Sequence, residues 1–511
     1  MPKENMNVLF IITDQQRADM LGCSGNKIIK TPNIDRLASE SVRFSNAFCA
    51  NPMCMPNRAT LITGYYPNVH GVRSNGINLP LDIPTITQTL VNRGYHTINV
   101  GKMHYNIWVM PYDPRDMSAE NLDDWSVENP NRNHLAHDNF PNPYYGFEEC
   151  DLVVGHSSAC LGHYFDWLKE RAPDIAENVR KQHYKEVPIF GMFNDNYIPE
   201  ELYNTTYIKN NTISFLERYS EGKYNDKPFF LHCSFPDPHH PVSPPGKYKD
   251  MYNPDDIELP SNFHDLKNLY KHPYLKTHLE NPPYRGALLR EEIEENIKRF
   301  TALSYGAMSL VDHAIGEILA SLDKLGLSKN TMVIFTSDHG EYMGSHGICL
   351  KGPSPFNDTL QVPLIWKVPG LTSPGVSEAL ISSVDIPKTI LELLNIKERY
   401  RPVGMQGYNV KPVLEDPTKK VRDCLLIAED EEVGPKGPLY TRVSHLVTEN
   451  YKITKYAELP GYGDIFDRKN DKDEINNLWD KDKELRVNLV DRLLHEYMIT
   501  RSRFPIRQGG T

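Results

Sequence analysis

The chain has 511 residues, 39% hydrophobic and 24% charged, which fits a folded globular protein and excludes a disordered one. Lys and Arg number 56 against 67 Asp and Glu, a formal net charge of −11. That excludes a general nucleic-acid binder with a basic face, though not a local site for an anion. No apolar run reaches the ~18 residues of a membrane span, so the sequence predicts no contact with a membrane.

In chain order, residues 8–13 form a short apolar run ending in Asp14-Gln15. This run is too short for a secretory signal, and the eight cysteines contain no Cys-x-x-Cys pair. Together these features predict reduced thiols and a cytoplasmic protein. Pro32-Asn33 opens a helix with Thr31 or Asn33 near its cap. Residues 97–100 are a second apolar run, ending in Gly101-Lys102-Met103-His104. Residues 105–200, rich in Pro, Asn, Asp and aromatic residues, read as ordered loops with a few short elements framing a pocket. A third run, 229–235, ends in Pro236-Asp237-Pro238-His239-His240. Apolar residues at steps of three or four predict one long amphipathic helix over 291–325. It leads into a fourth run, 332–337, ending in Asp338-His339-Gly340. A further helix is predicted over 385–394, then strands over 442–447 and 451–454, and a last helix over 485–497.

Short apolar runs alternating with helices read as buried parallel strands. The predicted fold is therefore α/β: a large mixed, mostly parallel sheet flanked by helices over 1–410, with a smaller C-terminal α+β subdomain over 411–511. In such sheets sites form beyond the carboxyl ends of the strands, where all four runs carry polar residues.

The string Asn51-Pro52-Met53-Cys54-Met55-Pro56-Asn57-Arg58-Ala59-Thr60-Leu61-Ile62-Thr63-Gly64 contains Cys-x-Pro-x-Arg followed by Leu-x-Thr-Gly. It resembles the signature of the type I sulfatases of the alkaline phosphatase superfamily, whose cysteine is converted to formylglycine after synthesis. Asn57 departs from the Ser or Ala usual at its position. The resemblance spans nearly the whole chain, to Gly463-Asp464-Ile465-Phe466-Asp467, which is similar to the family's closing strand.

The resemblance implies a set of site residues. Asp14, Gln15, Asp338 and His339, with an oxygen on the modified residue 54, would hold one divalent cation. Oxygen donors suit calcium, while His339 keeps manganese or magnesium as alternatives. Arg58 would orient the hydroxyl of residue 54. Lys102 would contact the anionic oxygens of the substrate, and His104 would act as base. His239 would contact the ester oxygen, with His240 as the competing candidate. Lys351, in Leu350-Lys351-Gly352-Pro353, would pair with the leaving oxygen. Asn75 reads either as a pocket residue or as a turn residue. Taken singly, a lysine is more often a solvated charge and an Asp after a strand a helix cap.

The implied reaction is hydrolysis of a sulfate monoester to an alcohol and inorganic sulfate. A cation and lysines would offset the repulsion between an anionic nucleophile and the sulfate oxygens. A hydrated aldehyde at residue 54 carries two hydroxyls, one to attack sulfur and one to release the product. The implied partners are a small-molecule or sugar sulfate ester and a formylglycine-generating enzyme, with a homo-oligomer left open. Two rival readings stand beside this one: a phosphonate monoester or phosphodiester hydrolase of the same superfamily, and a non-catalytic anion-binding relative with Cys54 unmodified. Trp108, Tyr112, Trp125, Tyr144 and Tyr145 are candidates for stacking on the alcohol, or for core packing.

Overall fold

The computed structural model describes residues 6–107, 140–184, 191–194, 196–280, 290–291, 293–433 and 439–501. Trp108, Tyr112 and Trp125 lie outside these residues. The main sheet contains β1 (Asn7–Thr13), β2 (Val42–Phe44), β3 (His96–Gly101), β4 (Glu149–Val154), β5 (Leu161–Gly162), β6 (Phe229–Ser234), β7 (Thr331–Ser337), β8 (Leu364–Lys367) and β9 (Gly375–Ser377). Among the described residues the strand order is β9-β2-β8-β7-β1-β6-β3-β4-β5. The five adjacent strands β7, β1, β6, β3 and β4 are parallel to one another. β8 runs antiparallel to both β7 and β2.

The four apolar runs are β1, β3, β6 and β7. Every residue of these strands is buried, as expected for strands covered on both faces. Alternate side chains feed two cores. Leu9 and Ile11 pack with helices α1 (Pro32–Ser39), α3 (Asn204–Ser220) and α4 (Glu294–Lys324) on one face. Val8, Phe10 and Ile12 pack with α2 (Cys54–Thr63) and α5 (Asp385–Leu393) on the other. No helix of the described residues is long and apolar enough to cross a membrane.

The long helix predicted over 291–325 is α4. The start of α1 has no side-chain cap from Thr31. Instead the Asn33 and Ile34 amides donate to Asp312 Oδ1 of α4, at 3.1 and 2.8 Å. The stretch 105–200, read as loops with a few short elements, contributes β4 to the main sheet and helices at His163–Arg171 and Pro173–Tyr184. Within the same stretch, Tyr144 and Tyr145 are buried in an edge-on cluster with Tyr105 and Phe140. These two tyrosines therefore pack in the core.

The C-terminal sheet is antiparallel, with strands β10 (Cys424–Val433), β11 (Leu439–Thr448), β12 (Tyr451–Tyr456) and β13 (Gly463–Asp467). It is followed by α6 (Lys483–Ile499). Leu426, Leu446, Ile453 and Ile465 join Leu489 and Leu493 of α6 in one core with Ala50, Tyr66 and Val384 of the main layer.

Candidate active site

Five neighbouring strand ends converge. β1 ends in Asp14 and Gln15, β7 in Asp338 and His339, β6 in the loop to His239 and His240, and β3 in Lys102 and His104. β4 adds His156, which the sequence reading did not single out. The backbone at Gly101 turns with φ +110°, and a Cβ there would lie 1.9 Å from the Ser234 carbonyl oxygen. Only glycine lets β3 turn Lys102 inward this close to β6.

Cys54 is the first residue of α2, preceded by extended Met53. Pro56 is tolerated in the first helical turn, where its missing N–H has no helical partner to lose. Asn75 Oδ1 accepts from the Met55 amide at 3.0 Å, so this side chain caps the start of α2. One turn on, the buried Arg58 guanidinium lies beneath the strand ends. Its Nε donates to Asp338 Oδ2 at 2.7 Å and its Nη2 to Asp14 Oδ2 at 3.3 Å. Its Nη1 donates to the Lys102 carbonyl at 3.0 Å and to Ser234 Oγ at 2.9 Å. Arg58 thus clamps two carboxylates in place. Asn57, the departure from the usual motif, is buried with a structural task. Its Nδ2 donates to the Asp338 carbonyl at 2.5 Å, and its Oδ1 accepts from the Ala50 amide at 3.0 Å and Ser383 Oγ at 2.6 Å.

Around Cys54 Sγ, Lys351 Nζ lies at 2.8 Å, His339 Nε2 at 3.2 Å and Asp14 Oδ1 at 3.7 Å. Lys351 Nζ is also 2.9 Å from His339 Nε2 and 3.2 Å from His239 Nε2. Lys102 Nζ donates to Asp14 Oδ2 and sits 2.8 Å from His156 Nε2. Gln15 Nε2 donates to His240 Nδ1 at 2.8 Å and to Glu341 Oε2. Glu341, also unassigned from sequence, accepts from the Met343 amide at 3.2 Å and from the Leu350 amide. It therefore ties Gln15 to the loop that carries Lys351.

The electrostatics follow from burial and three neighbouring cations. Burial alone would raise the Asp14 carboxyl, but Lys102 and Arg58 hold it well below its usual value. Burial, then Asp14, pushes the Cys54 thiol up. Burial opposes the Lys351 charge, yet Cys54 and Asp14 keep its pKa raised. Burial lowers His339 to about 4, helped by Lys351. His104, His156, His239 and His240 are all well below the ordinary imidazole value, first through burial. Lys102 adds to the effect at His104 and His156, and Lys351 at His240. The resting site therefore offers neutral imidazoles beside a charged Lys351.

The donors suit a cation. One atom each of Asp14, Cys54, Asp338 and His339 lies within 4.8 Å of the others. His339 Nδ1 donates to the Gly340 carbonyl at 2.9 Å, which leaves Nε2 as the ligating nitrogen. Gln15 Oε1 is buried with no hydrogen-bond partner among the described residues, an acceptor that a cation would satisfy.

Comparison with known proteins gives the family. A family model described as "Sulfatase" matches residues 6–396, and one described as "N-sulphoglucosamine sulphohydrolase, C-terminal" matches residues 344–500. An arylsulfatase of Clostridium perfringens is 28% identical, over 96% of this chain and 93% of its own. An N-acetylglucosamine-6-O-sulfatase of Bacteroides thetaiotaomicron is 23% identical, over 93% of this chain and 83% of its own. The crystal structure of a phosphonate monoester hydrolase of Agrobacterium radiobacter superposes with a TM-score of 0.77 at 26% identity, covering 98% of this chain and 97% of that one. The chain belongs to the type I sulfatase family of the alkaline phosphatase superfamily and is a sulfuric ester hydrolase.

Proposed function

We propose that the protein hydrolyses a small-molecule or sugar sulfate monoester with residue 54 as formylglycine and one divalent cation, calcium in first place and manganese or magnesium as alternatives. The observation that carries this reading is the convergence of Lys351, His339 and Asp14 on the side chain of Cys54. Asp14, Gln15, Asp338, His339 and residue 54 would hold the cation, which supplies charge to offset the sulfate oxygens. Formylglycine supplies a hydrated aldehyde with one hydroxyl to attack sulfur and another for release. The name of the N-acetylglucosamine-6-O-sulfatase relative supports a sugar sulfate among the substrates.

The chain's own residues do the rest. Lys102 and Lys351 bind the anionic oxygens from two sides, where a water-poor setting strengthens their pull on developing charge. Lys351, charged and beside His239, is placed to donate a proton to the departing oxygen. The neutral imidazoles of His104 and His239 are placed to accept protons. Arg58 helps keep Asp14 ionised and holds both Asp14 and Asp338 in place, and so acts through the carboxylates. Conversion of Cys54 requires a formylglycine-generating enzyme in the host. The sparse cysteines, without a Cys-x-x-Cys pair, support a reducing compartment such as the cytoplasm.

The likeness to a phosphonate monoester hydrolase keeps a second reading, in which a phosphonate ester is the preferred substrate. Sulfuryl and phosphoryl transfer share the same needs for positioning and charge. Peptide mass spectrometry across residues 50–58 of protein from a converting host, with turnover of 4-nitrophenyl sulfate and phenyl phosphonate esters, separates the readings. Formylglycine at 54, a higher kcat/KM on the sulfate, and loss of turnover on chelation are expected. Active protein with an intact Cys54 thiol overturns the mechanism. A higher kcat/KM on the phosphonate replaces the substrate.

A further inference from the structure

His156 touches two of the groups assigned to the reaction yet has no part in it so far. Its Nε2 lies 2.8 Å from Lys102 Nζ and 3.9 Å from Asp14 Oδ2. Its ring lies flat on that of His239, with centroids 3.5 Å apart and planes within 8°. His239 Nε2 in turn is 3.2 Å from Lys351 Nζ. Lys102, His156, His239 and Lys351 thus form one row of touching side chains, spanning the ends of β3, β4 and β6. The Lys102 side chain is fully buried, whereas the His156 side chain is 21% exposed and closes the row on its outer side.

We propose that His156 is a positioning residue of the sulfuryl-transfer site: it aims the Lys102 ammonium and braces the His239 ring. The inference rests on the sulfatase reading above. A lysine ammonium has three donors and no acceptor, so the contact with Lys102 requires His156 Nε2 to accept. The proton of the neutral ring is then on Nδ1. Asp14 Oδ2 and His156 Nε2 fix two of the three N–H directions of Lys102, and by geometry the third. Without His156 the ammonium would swing on its flexible stem, and an aimed charge is worth more to a transition state than a mobile one. The flat stack does the same for His239, whose Nδ1 is already turned toward the His240 carbonyl. A structural role alone would predict a loss of stability with no link to Lys102.

The test uses converted full-length enzyme and three substitutions that separate the two contacts. H156F keeps a flat ring but no acceptor, H156Q keeps an acceptor but no ring, and H156A removes both. Turnover of 4-nitrophenyl sulfate by H156A is expected to fall about 30- to 100-fold, mostly in kcat, with the unfolding midpoint little changed. H156Q is expected to recover about tenfold of that loss and H156F much less. The deciding readout is a double-mutant cycle with K102A. In the K102A background H156A is expected to cost less than about threefold, because the group it aims is gone. Fully multiplicative losses, or H156F turning over like wild type, would overturn the proposal. Wild-type turnover in the same assay tests the sulfatase reading separately. If a phosphonate ester is the better substrate, the cycle is run on it. If neither ester turns over, the cycle is read from calorimetric affinity for inorganic sulfate, where independence of the two sites overturns the proposal.

Discussion

The two sheets of the molecule use charge in opposite ways. In the main sheet the strand bodies are apolar and the charged groups stand together at the carboxyl edge. There Arg58, Lys102 and Lys351 face Asp14 and Asp338, and Lys351 rests on the Cys54 thiol and two imidazoles instead of a carboxylate. The C-terminal sheet buries its charges in its own faces, each closed by a partner. His445 Nε2 is 2.9 Å from Glu429 Oε1, and its Nδ1 is 2.9 Å from Thr454 Oγ1. Lys452 pairs with Glu474, and both reach Asn357 in the segment that follows Lys351. Lys452 Nζ donates to Asn357 Oδ1 at 2.9 Å, and the Asn357 amide donates to Glu474 Oε2 at 2.7 Å. The first arrangement leaves cationic charge to meet an anionic substrate. The second attaches one layer to another. Between the two buried lysines, function goes with Lys351, whose contacts are a thiol and imidazoles, and assembly goes with Lys452, whose partner is a carboxylate.

That contrast predicts a separation of stability from activity. Lys452→Met strands the buried Glu474 carboxylate, and unfolding free energy should drop by about 3–5 kcal/mol. Burial already pushes Lys452 down and Glu474 up, each against the pull of its partner. The double variant K452M/E474Q should therefore recover most of the loss in urea titrations. Turnover by the folded fraction of either variant should match wild type. A change in kcat as large as the change in stability would erase the distinction between the two sheets.

The reverse substitution is made in the main sheet. Lys351→Met keeps the buried stem and removes the charge from the Cys54 side chain. Its kcat should fall about 10²- to 10³-fold, the size of effect seen on losing one charge-stabilising donor. Its unfolding midpoint should stay level or rise, as is common where active-site charge opposes stability. A large fall in stability with kcat intact would show that Lys351 is a structural cation like Lys452.

The same difference explains what could be read from the sequence. β1, β3, β6 and β7 are short, largely apolar runs that end in polar residues, and this pattern puts Asp14, Lys102, His239 and Asp338 at the sheet edge, while their roles came from the resemblance. Cys54 and Arg58 came from the Cys-x-Pro-x-Arg motif, and Lys351 from the resemblance of Leu350-Lys351-Gly352-Pro353. β4 was legible in principle, because Leu152-Val153-Val154-Gly155-His156 repeats the run-then-glycine-then-polar pattern of β3. It is masked by Glu149 and Asp151 at its start and by the polar stretch before it. The loss of β4 hid His156. Glu341 and Ser234 escaped for another reason: they act by holding Gln15 and Arg58, 326 and 176 residues away, in pairings that no local pattern encodes. The tasks of Asn57 and Asn75 depend on helix-end geometry, which residue type alone leaves open. β8 and β2, short and partly antiparallel, have no periodic signal long enough to find.

Asp237 lies between the two uses of charge, a buried carboxyl at the active edge whose side-chain hydrogen-bond partners among the described residues are neutral. Tyr203 OH donates to its Oδ1 at 3.2 Å and Thr205 Oγ1 to its Oδ2 at 2.6 Å. Burial pushes its pKa up to about 6, against a usual value of 3.8. The native state thus holds this proton more tightly than the unfolded chain does. Below the unfolded value both states are protonated and the group has no effect. As pH rises toward 6 the unfolded chain ionises first, and stability is lost. Above that range both states are ionised and the penalty stays constant, at most about 3 kcal/mol. Asp237→Asn has no proton to lose there. Any hydrogen bond that the amide makes less well than the acid lowers its stability equally at every pH. Denaturant midpoints taken from pH 4 to pH 7 should therefore move in favour of the variant as pH rises, whatever their offset at pH 4. Parallel curves would mean that the Tyr203 and Thr205 hydroxyls already stabilise the charged form, and that Asp237 belongs with the satisfied carboxylates of the C-terminal sheet.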